Sequence, residues 1–365
     1  MSNTQFYALK VQQVKQETSD TVSIYFEVPN ELSDTFKFIQ GQYLSLRFTI
    51  NGKEERRAYS MSSAPLDKHL SVTVKRVKNG KVSNHIADNL KVGDTVDVMP
   101  PQGRFYTDLN PDERKSYYLF GAGSGITPLM SIIRATLEQE PQSAVYLLYG
   151  SRHDDGIIFH DALKALAEKY KGQFFVDFIV SQPKKEKTSW FKKGKTNWTG
   201  SVGRITATEV DRFLDKHPLN DKNKTECFIC GPGVMIDAVE THLKNKSIDD
   251  KNIHTERFVT AEEAAAKKQN NTGTGLVKVS LRGRVIDVNV SADKTILDAL
   301  IDLKEDAPYS CSAGACSTCM AKVTKGKVTM DVCHALDDDE VEEGYILVCQ
   351  AHPVGEEDVE LTFDV

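Results

Sequence analysis

Ser310-Cys311-Ser312-Ala313-Gly314-Ala315-Cys316-Ser317-Thr318-Cys319 carries three thiols spaced C-x4-C-x2-C, and a fourth, Cys349, follows after 29 further residues. Four cysteines in this spacing match the thiolate set of a [2Fe–2S] cluster. Every side chain between the thiols is small. Small residues let a loop wrap closely around an inorganic core with its N–H groups turned towards the sulfurs, and Gly314 can take positive φ where the wrap needs it. The competing readings are a zinc site, which usually shows paired short spacings, and a disulfide framework, which suits small secreted chains. A cluster moves single electrons, so a chain that carries one needs an electron source elsewhere in its sequence.

Composition sets the setting for that source. A length of 365 residues implies two or three domains. The seven cysteines are odd in number, and no apolar run follows Met1-Ser2-Asn3-Thr4-Gln5, so neither a secretory signal nor a membrane span is read and the expected location is the cytoplasm. The net charge of −6 is unevenly shared. From Leu276 onward 8 Lys+Arg face 18 Asp+Glu, net −10, whereas the first 275 residues carry 38 against 34, net +4. An acidic cluster-bearing part beside a mildly basic remainder can steer the two together or guide docking to a basic partner; a well-solvated surface is the plainer reading. Nothing in this balance calls for nucleic acid or a membrane.

Pattern divides the chain further. Thr21-Val22-Ser23-Ile24-Tyr25-Phe26, Tyr43-Leu44-Ser45-Leu46-Arg47-Phe48 and Leu70-Ser71-Val72-Thr73-Val74-Lys75 alternate with period two, which predicts an antiparallel β-barrel over residues 1–110. From Tyr117 apolar strands alternate with helical stretches: Tyr118-Leu119-Phe120 and a helix from Pro128, then Ala144–Tyr149 and a helix around Ala162–Lys169. This predicts a parallel-sheet α/β domain over 111–260. Residues 261–275 decay from Ala and Glu into Asn, Thr and Gly and read as a linker, leaving 276–365 to the cluster domain. The lysine-rich segment Lys184–Lys195, with Trp190 and Phe191, has lysines beside aromatics that could suit nucleic acid or an acidic partner, though in an acidic chain a solvated surface loop is the plainer reading.

Chemistry-bearing motifs fall in both upstream parts. In Arg57-Ala58-Tyr59-Ser60 an arginine can grip a diphosphate, a tyrosine ring can lie on an isoalloxazine, and a serine hydroxyl can reach the flavin's reactive nitrogen. Gly80-Lys81-Val82-Ser83 is a glycine turn opening a helix on a phosphate, and Pro100-Pro101-Gln102-Gly103-Arg104-Phe105 closes the barrel. Gly121-Ala122-Gly123-Ser124-Gly125-Ile126-Thr127-Pro128 lies between a strand and a helix, with glycines that let the backbone approach a pyrophosphate. It departs from G-x-G-x-x-G. Tyr149-Gly150-Ser151-Arg152 ends the next strand, where Ser151 and Arg152 can hold the 2′-phosphate of NADPH or merely cap a strand end. Cys227-Phe228-Ile229-Cys230-Gly231-Pro232-Gly233 contains a C-x-x-C, but Cys227 lies inside an apolar strand and no second ligand pair follows, so no zinc or dithiol site is read. Cys333 reads as structural.

R-A-Y-S, G-K-V-S, G-A-G-S-G-I-T-P and C-G-P, in this order, resemble the ferredoxin–NADP reductase superfamily. The resemblance implies that Arg57, Ala58, Tyr59, Ser60, Gly80, Val82 and Ser83 bind flavin. It implies that Gly121, Gly123, Ser124, Gly125, Thr127, Pro128, Ser151, Arg152, Gly231 and Pro232 bind the nicotinamide nucleotide. Cys230 would face the nicotinamide and act with Ser60 as a catalytic residue, and Glu256 and Phe258 would close over the flavin. Gly80–Ser83 followed by Pro100–Phe105 favours FAD over FMN. With a C-terminal plant-type ferredoxin of β-grasp fold, holding its cluster on Cys311, Cys316, Cys319 and Cys349, the chain is similar to the reductase components of multicomponent oxygenases. The implied activity is hydride transfer from NADPH to FAD and single-electron delivery through the cluster to an oxygenase partner, a multi-subunit di-iron one. Rieske-type hydroxylases, desaturases and hybrid-cluster proteins are the other acceptors the family serves, and a [2Fe–2S] redox sensor is the reading from a different class.

Overall fold

The computed structural model describes residues 4–185, 196–259, 273–355 and 357–364. Period-two alternation produces the first part. Strands β1 (Tyr7–Thr18), β2 (Thr21–Glu27), β3 (Tyr43–Ile50), β4 (Lys53–Ser60), β5 (Leu70–Lys75) and β6 (Thr95–Gln102) form an antiparallel sheet ordered β4-β3-β6-β1-β2-β5. A bridge between Met61 and Val72 joins its two edges and closes the barrel. Inward side chains such as Leu9, Ile24, Phe26, Leu44, Leu46, Val72 and Val98 are fully buried. Helix α1 (Lys81–Asn89) adds Val82 and Ile86 to this core, so the turn before it is held at one place on the barrel.

The second part is a parallel sheet. Strands β7 (Ser116–Ala122), β8 (Ala144–Ser151), β9 (Phe174–Val180), β10 (Ser201–Val202), β11 (Thr225–Gly231) and β12 (Ile253–Arg257) run in the order β10-β9-β8-β7-β11-β12. Strand β7 shows why both faces must be covered: Tyr117 and Leu119 enter one core and Tyr118 and Phe120 the other. Helices α2 (Ile126–Gln139) and α3 (His160–Lys169) cover the first face with Leu129, Ile133 and Leu163; α4 (Ala207–Lys216) and α5 (Gly233–Asn245) cover the second with Val210, Phe213, Ile236 and Val239. The strand order reverses between β7 and β11, and ligands of open α/β sheets bind at such a switch point, beyond the strands' carboxyl ends.

The third part is a mixed sheet folded round one helix, as expected of a β-grasp. Strands β13 (Gly275–Leu281), β14 (Arg284–Val290), β15 (Met320–Lys325), β17 (Tyr345–Leu347) and β19 (Val359–Thr362) take the order β14-β13-β19-β15-β17. β16 (Lys327–Met330) pairs with β18 (Ala351–Val354) beside them. Helix α6 (Ile296–Asp302) starts on a capping box between Thr295 and Asp298 and buries Ile296, Leu297 and Leu300 against the sheet. A second, one-turn helix α7 (Asp338–Glu342) follows the cluster loop.

Three local expectations are adjusted. Pro128 is the third residue of α2, which begins at Ile126 behind a tight turn over Gly123–Gly125; it still sits in the first turn, where no backbone donor is lost. The expected linker falls mostly outside the described residues, and Gly275 already belongs to β13. Of the lysine-rich loop, residues 186–195 lie outside them too, while Lys184 donates its backbone N–H to Asp154 at 2.8 Å. Among the described residues no helix is long and apolar enough to cross a membrane.

Candidate functional site

The three parts meet on one cavity of about 1410 Å³. Of the residues singled out from the sequence, Arg57, Ala58, Tyr59, Ser60, Gly80, Val82, Ser83, Gly123, Ser124, Thr127, Ser151, Arg152, Gly231, Pro232, Glu256, Phe258, Cys311 and Cys316 line it. Gly121, Gly125, Pro128, Cys230, Cys319 and Cys349 do not; they stand behind the wall.

On the barrel side, antiparallel pairing sets Tyr43 opposite Ser60, which brings the end of β4 to the cavity floor. The Ser60 hydroxyl donates to Glu256 Oε2 at 2.9 Å, tying the barrel to β12. Burial pushes the Glu256 carboxyl up to about 7, with the Ser60 hydrogen bond acting the other way. The raised carboxyl stands on the cavity wall. Ser83 accepts a hydrogen bond from the Val77 backbone N–H at 3.1 Å, which folds the 77–83 turn so that the N-terminus of α1 opens on the cavity. That end, with its unpaired N–H groups, suits a phosphate. Arg57 sits on the rim, its Nη1 donating to the Arg56 carbonyl at 2.7 Å.

On the nucleotide side the glycines divide by role. Gly123 has φ +58 and open space where a Cβ would stand, so it alone of the three offers bare backbone to a ligand. A Cβ on Gly125 would lie 2.1 Å from the Cys230 carbonyl oxygen, and one on Gly121 would lie 2.8 Å from Leu129 Cδ1. Those two let α2 close on β11 and β7. Cys230 pairs in register with Glu256 across β11 and β12, and its thiol is fully buried. Burial, then the neighbouring Glu256 charge, holds that thiol well above the ordinary cysteine range. Arg152 Nε donates to Gln182 Oε1 at 3.2 Å, leaving the rest of its guanidinium on the cavity rim. Arg204, on the same rim, is a second cation that no motif pointed to.

The cluster loop forms the remaining wall through Cys311, Ser312, Ala313, Ala315 and Cys316. Gly314 takes φ +69, and a Cβ there would lie 2.7 Å from the Val332 carbonyl oxygen, which is the close wrap its glycine implied. Cys311 reaches Cys316 and Cys349, and Cys349 reaches Cys319. The Ala313 N–H points at Cys311 Sγ, 3.4 Å away. Among the described residues no three His, Cys, Asp or Glu side chains converge on one point as a single metal ion would need. A [2Fe–2S] core instead takes two thiols on each of two irons, and three thiols in one small-residue loop, with the Ala313 N–H aimed at sulfur and Cys349 brought against them from Val348–Gln350, fit that donor set.

Sequence reasoning missed the contacts that bring this loop to the cavity. Arg56, only 6% exposed, ion-pairs with Glu54 at 2.7 Å and with Asp306 at 3.2 Å, and its guanidinium lies 4.2 Å from the Tyr309 ring centroid. Tyr43 Oη and Thr318 Oγ1 are 2.9 Å apart, Thr318 donates to Gln102 Oε1 at 3.0 Å, and Arg104 pairs with Glu340. An arginine beside the R-A-Y-S motif was visible; its partner 250 residues away was not.

A closed barrel with a helix N-terminus, a parallel sheet with a phosphate-suited switch point and a four-thiol set whose loop forms one wall, all on one shared cavity, define a nicotinamide-dependent flavin and iron–sulfur oxidoreductase. The comparisons agree part by part: an oxidoreductase FAD-binding domain matches residues 8–106, an oxidoreductase NAD-binding domain 119–241, and a 2Fe-2S iron-sulfur cluster binding domain 279–354. The chain is 37% identical to one component of the 1,2-phenylacetyl-CoA epoxidase of Escherichia coli (strain K12), covering 99% of this chain and 98% of that one. It is 36% identical to the ferredoxin reductase component of 3-ketosteroid-9-alpha-monooxygenase of Rhodococcus rhodochrous, over 95% and 94%. The solved structure of phthalate dioxygenase reductase shares the fold over 98% of both chains, with a TM-score of 0.60 at 22% identity. The chain belongs to the family of three-domain reductases, with FAD, NAD and [2Fe–2S] domains, that serve as electron-transfer components of oxygenases.

Proposed function

We propose that this chain is the NADPH-dependent reductase of a phenylacetyl-CoA epoxidase, a multi-subunit di-iron oxygenase, in the cytoplasm. The observation that carries the reading is the shared cavity, on which the Ser60–Glu256 pair, the Gly123 loop and the cluster loop all open, together with 37% identity along almost the whole length of the epoxidase component. FAD, when bound, supplies the conversion between a two-electron hydride donor and a one-electron cluster.

The residues have distinct tasks. Arg57 and the α1 N-terminus, with Gly80, Val82 and Ser83, hold the FAD diphosphate, and Ala58, Tyr59 and Phe258 bound its ring. Gly123, Ser124, Thr127, Gly231 and Pro232 hold the nucleotide diphosphate, Gly121, Gly125 and Pro128 set the helix that carries them, and Ser151 and Arg152 take the 2′-phosphate. Ser60 Oγ orients the Glu256 carboxyl, which can hold or release a proton near neutral pH; Cys230, expected to face the nicotinamide, is instead fully buried behind the cavity wall and would act only by supporting it. Cys311, Cys316, Cys319 and Cys349 hold the cluster. A complete cavity of this kind supports turnover over redox sensing.

The 36% identity to a steroid monooxygenase component favours a second acceptor class. Purified reductase is to be mixed with NADPH and, separately, with the oxygenase components of phenylacetyl-CoA epoxidase and of 3-ketosteroid-9-alpha-monooxygenase. NADPH-dependent product formation with the epoxidase is expected; product with the steroid enzyme alone would replace the acceptor and keep the reductase.

A further inference from the structure

The two ends of the cavity, Ser60 with Glu256 at one and the cluster loop at the other, are joined through a single residue. Tyr43 on β3 is paired across the sheet with Ser60 on one side and Gln102 on the other. Its ring lines the cavity, and its hydroxyl lies 2.9 Å from Thr318 Oγ1. Thr318 in turn donates to Gln102 Oε1 at 3.0 Å and stands 3.5 Å from Cys316 Sγ. The Tyr43–Thr318 pair is closed to solvent, Tyr43 being 5% and Thr318 6% exposed, while Gln102 is half-buried. Gly103, with φ +110, makes room for it, since a Cβ there would press to 2.9 Å from Tyr43 Cδ1.

The hydrogens can be placed by elimination. The side-chain carbonyl of Gln102 takes the Thr318 proton, so the Tyr43 hydroxyl donates to Thr318. When Cys316 is a thiolate bound to iron it can only accept, which leaves this direction intact. Arg56 also meets the ferredoxin part at Asp306, the Ala307 carbonyl and the Tyr309 ring, and Arg104 meets it at Glu340; the two ion pairs among these contacts have one exposed partner each and so hold less tightly than a dry hydrogen bond.

We propose that Tyr43 and Thr318 are positioning residues that lock the cluster loop onto the flavin side of the cavity, so that passage of an electron from FAD to the cluster depends on their hydrogen bond. The proposal rests on the reductase reading above. One electron leaves the reduced flavin and one enters the cluster; no proton or bond is exchanged at Tyr43 or Thr318.

The test is rapid mixing of the oxidised holoprotein with NADPH, following flavin bleaching and cluster reduction as separate spectral changes. Thr318→Val removes the hydroxyl at constant shape. It should leave flavin bleaching unchanged and slow cluster reduction about tenfold, the loss of docked population set by one dry hydrogen bond of ~1.4 kcal/mol. Tyr43→Phe should slow cluster reduction equally, the double variant should be no slower than either, and Thr318→Ser should recover the rate to within about twofold. Amide exchange across 311–319 in the oxidised protein should quicken in the valine and phenylalanine variants and not in the serine one. Unchanged cluster reduction in Thr318→Val, additive losses in the double variant, or a shift in cluster midpoint potential with unaltered amide exchange would each overturn the positioning role. If Thr318→Val fails to keep its cluster, Tyr43→Phe decides the question in the same assays. Absence of NADPH-dependent flavin bleaching in the unaltered protein would instead overturn the function itself.

Discussion

Gly125→Ala should uncouple the nucleotide loop from the sheet, and the structure sets the size of the effect. The added Cβ would stand 2.1 Å from the Cys230 carbonyl oxygen, 2.5 Å from its carbonyl carbon and 2.9 Å from the Gly231 nitrogen. All three are backbone atoms of a strand paired on both sides, so none can rotate away, and α2 and β11 must part by roughly 1 Å to restore ordinary contact. Local conformation favours alanine: Gly125 has φ −61 and ψ −11, a helical pair, and alanine there gains up to about 1 kcal/mol. Overpacking a tight core costs about 1–3 kcal/mol, and a clash with immobile backbone belongs at the top of that range, leaving a net loss of about 2 kcal/mol. Both tryptophans of the chain, Trp190 and Trp198, fall between β9 and β10, and Trp198 packs on the core that holds Ile126 and Leu129. Urea unfolding followed by tryptophan fluorescence should therefore show a midpoint lowered by about 1 M at unchanged slope. Gly123→Ala is the contrast: it meets no atom within 4 Å but must hold φ +58, at a cost of about 1–2 kcal/mol from strain alone. A Gly125→Ala midpoint within about 0.3 M of the unaltered protein, given slopes of about 1–3 kcal/mol/M, would refute the close-approach argument.

Glu256→Gln keeps an acceptor for Ser60 and removes a titration. With the carboxyl near 7 in the fold against an ordinary 4.5, the unfolded chain releases its proton first as pH rises. Stability attached to this group is complete below pH 4.5, falls through 4.5 to 7, and is flat above. The whole shift corresponds to ~3 kcal/mol, reduced to about 1–2 because the residue is only half-buried on the cavity wall. Unfolding free energies should thus diverge in favour of the glutamine variant between about pH 5 and 7.5, and a constant difference would remove the burial argument. Arg56→Met should loosen the ferredoxin part at Asp306 and Tyr309; amide exchange at 306–309 should quicken while β1 and β2 stay protected, and unchanged exchange would mean the buried cation holds nothing there. Arg152→Ala should raise the Michaelis constant for NADPH far more than for NADH, and an equal rise for both would remove its 2′-phosphate role.

Much of the architecture was legible because it is local. Period-two alternation in Thr21–Phe26 and Leu70–Lys75 became β2 and β5 of the barrel, and the strand–glycine–helix signal at Tyr117–Pro128 became β7 and α2. The cluster loop was readable from spacing and side-chain size, and Gly314 takes the positive φ that the close wrap needs. Less legible was which glycine does what: Gly121, Gly123 and Gly125 look alike in the motif, and separating a bare-backbone position from two packing positions requires knowing that Cys230 and Leu129 lie opposite.

By itself the sequence determined the three parts, their order, the thiol set and the motifs at the strand ends, because each depends on neighbours a few residues apart. Tertiary structure alone decided that these motifs share one cavity. Ser60 meets Glu256 across 196 positions, Tyr43 meets Thr318 across 275, and Arg56 meets Asp306 across 250. Such contacts leave no periodic trace, because one hydrogen bond or buried ion pair constrains two side chains and nothing between them. The fold brings them together through barrel closure and strand register, which every residue of the intervening core helps to set.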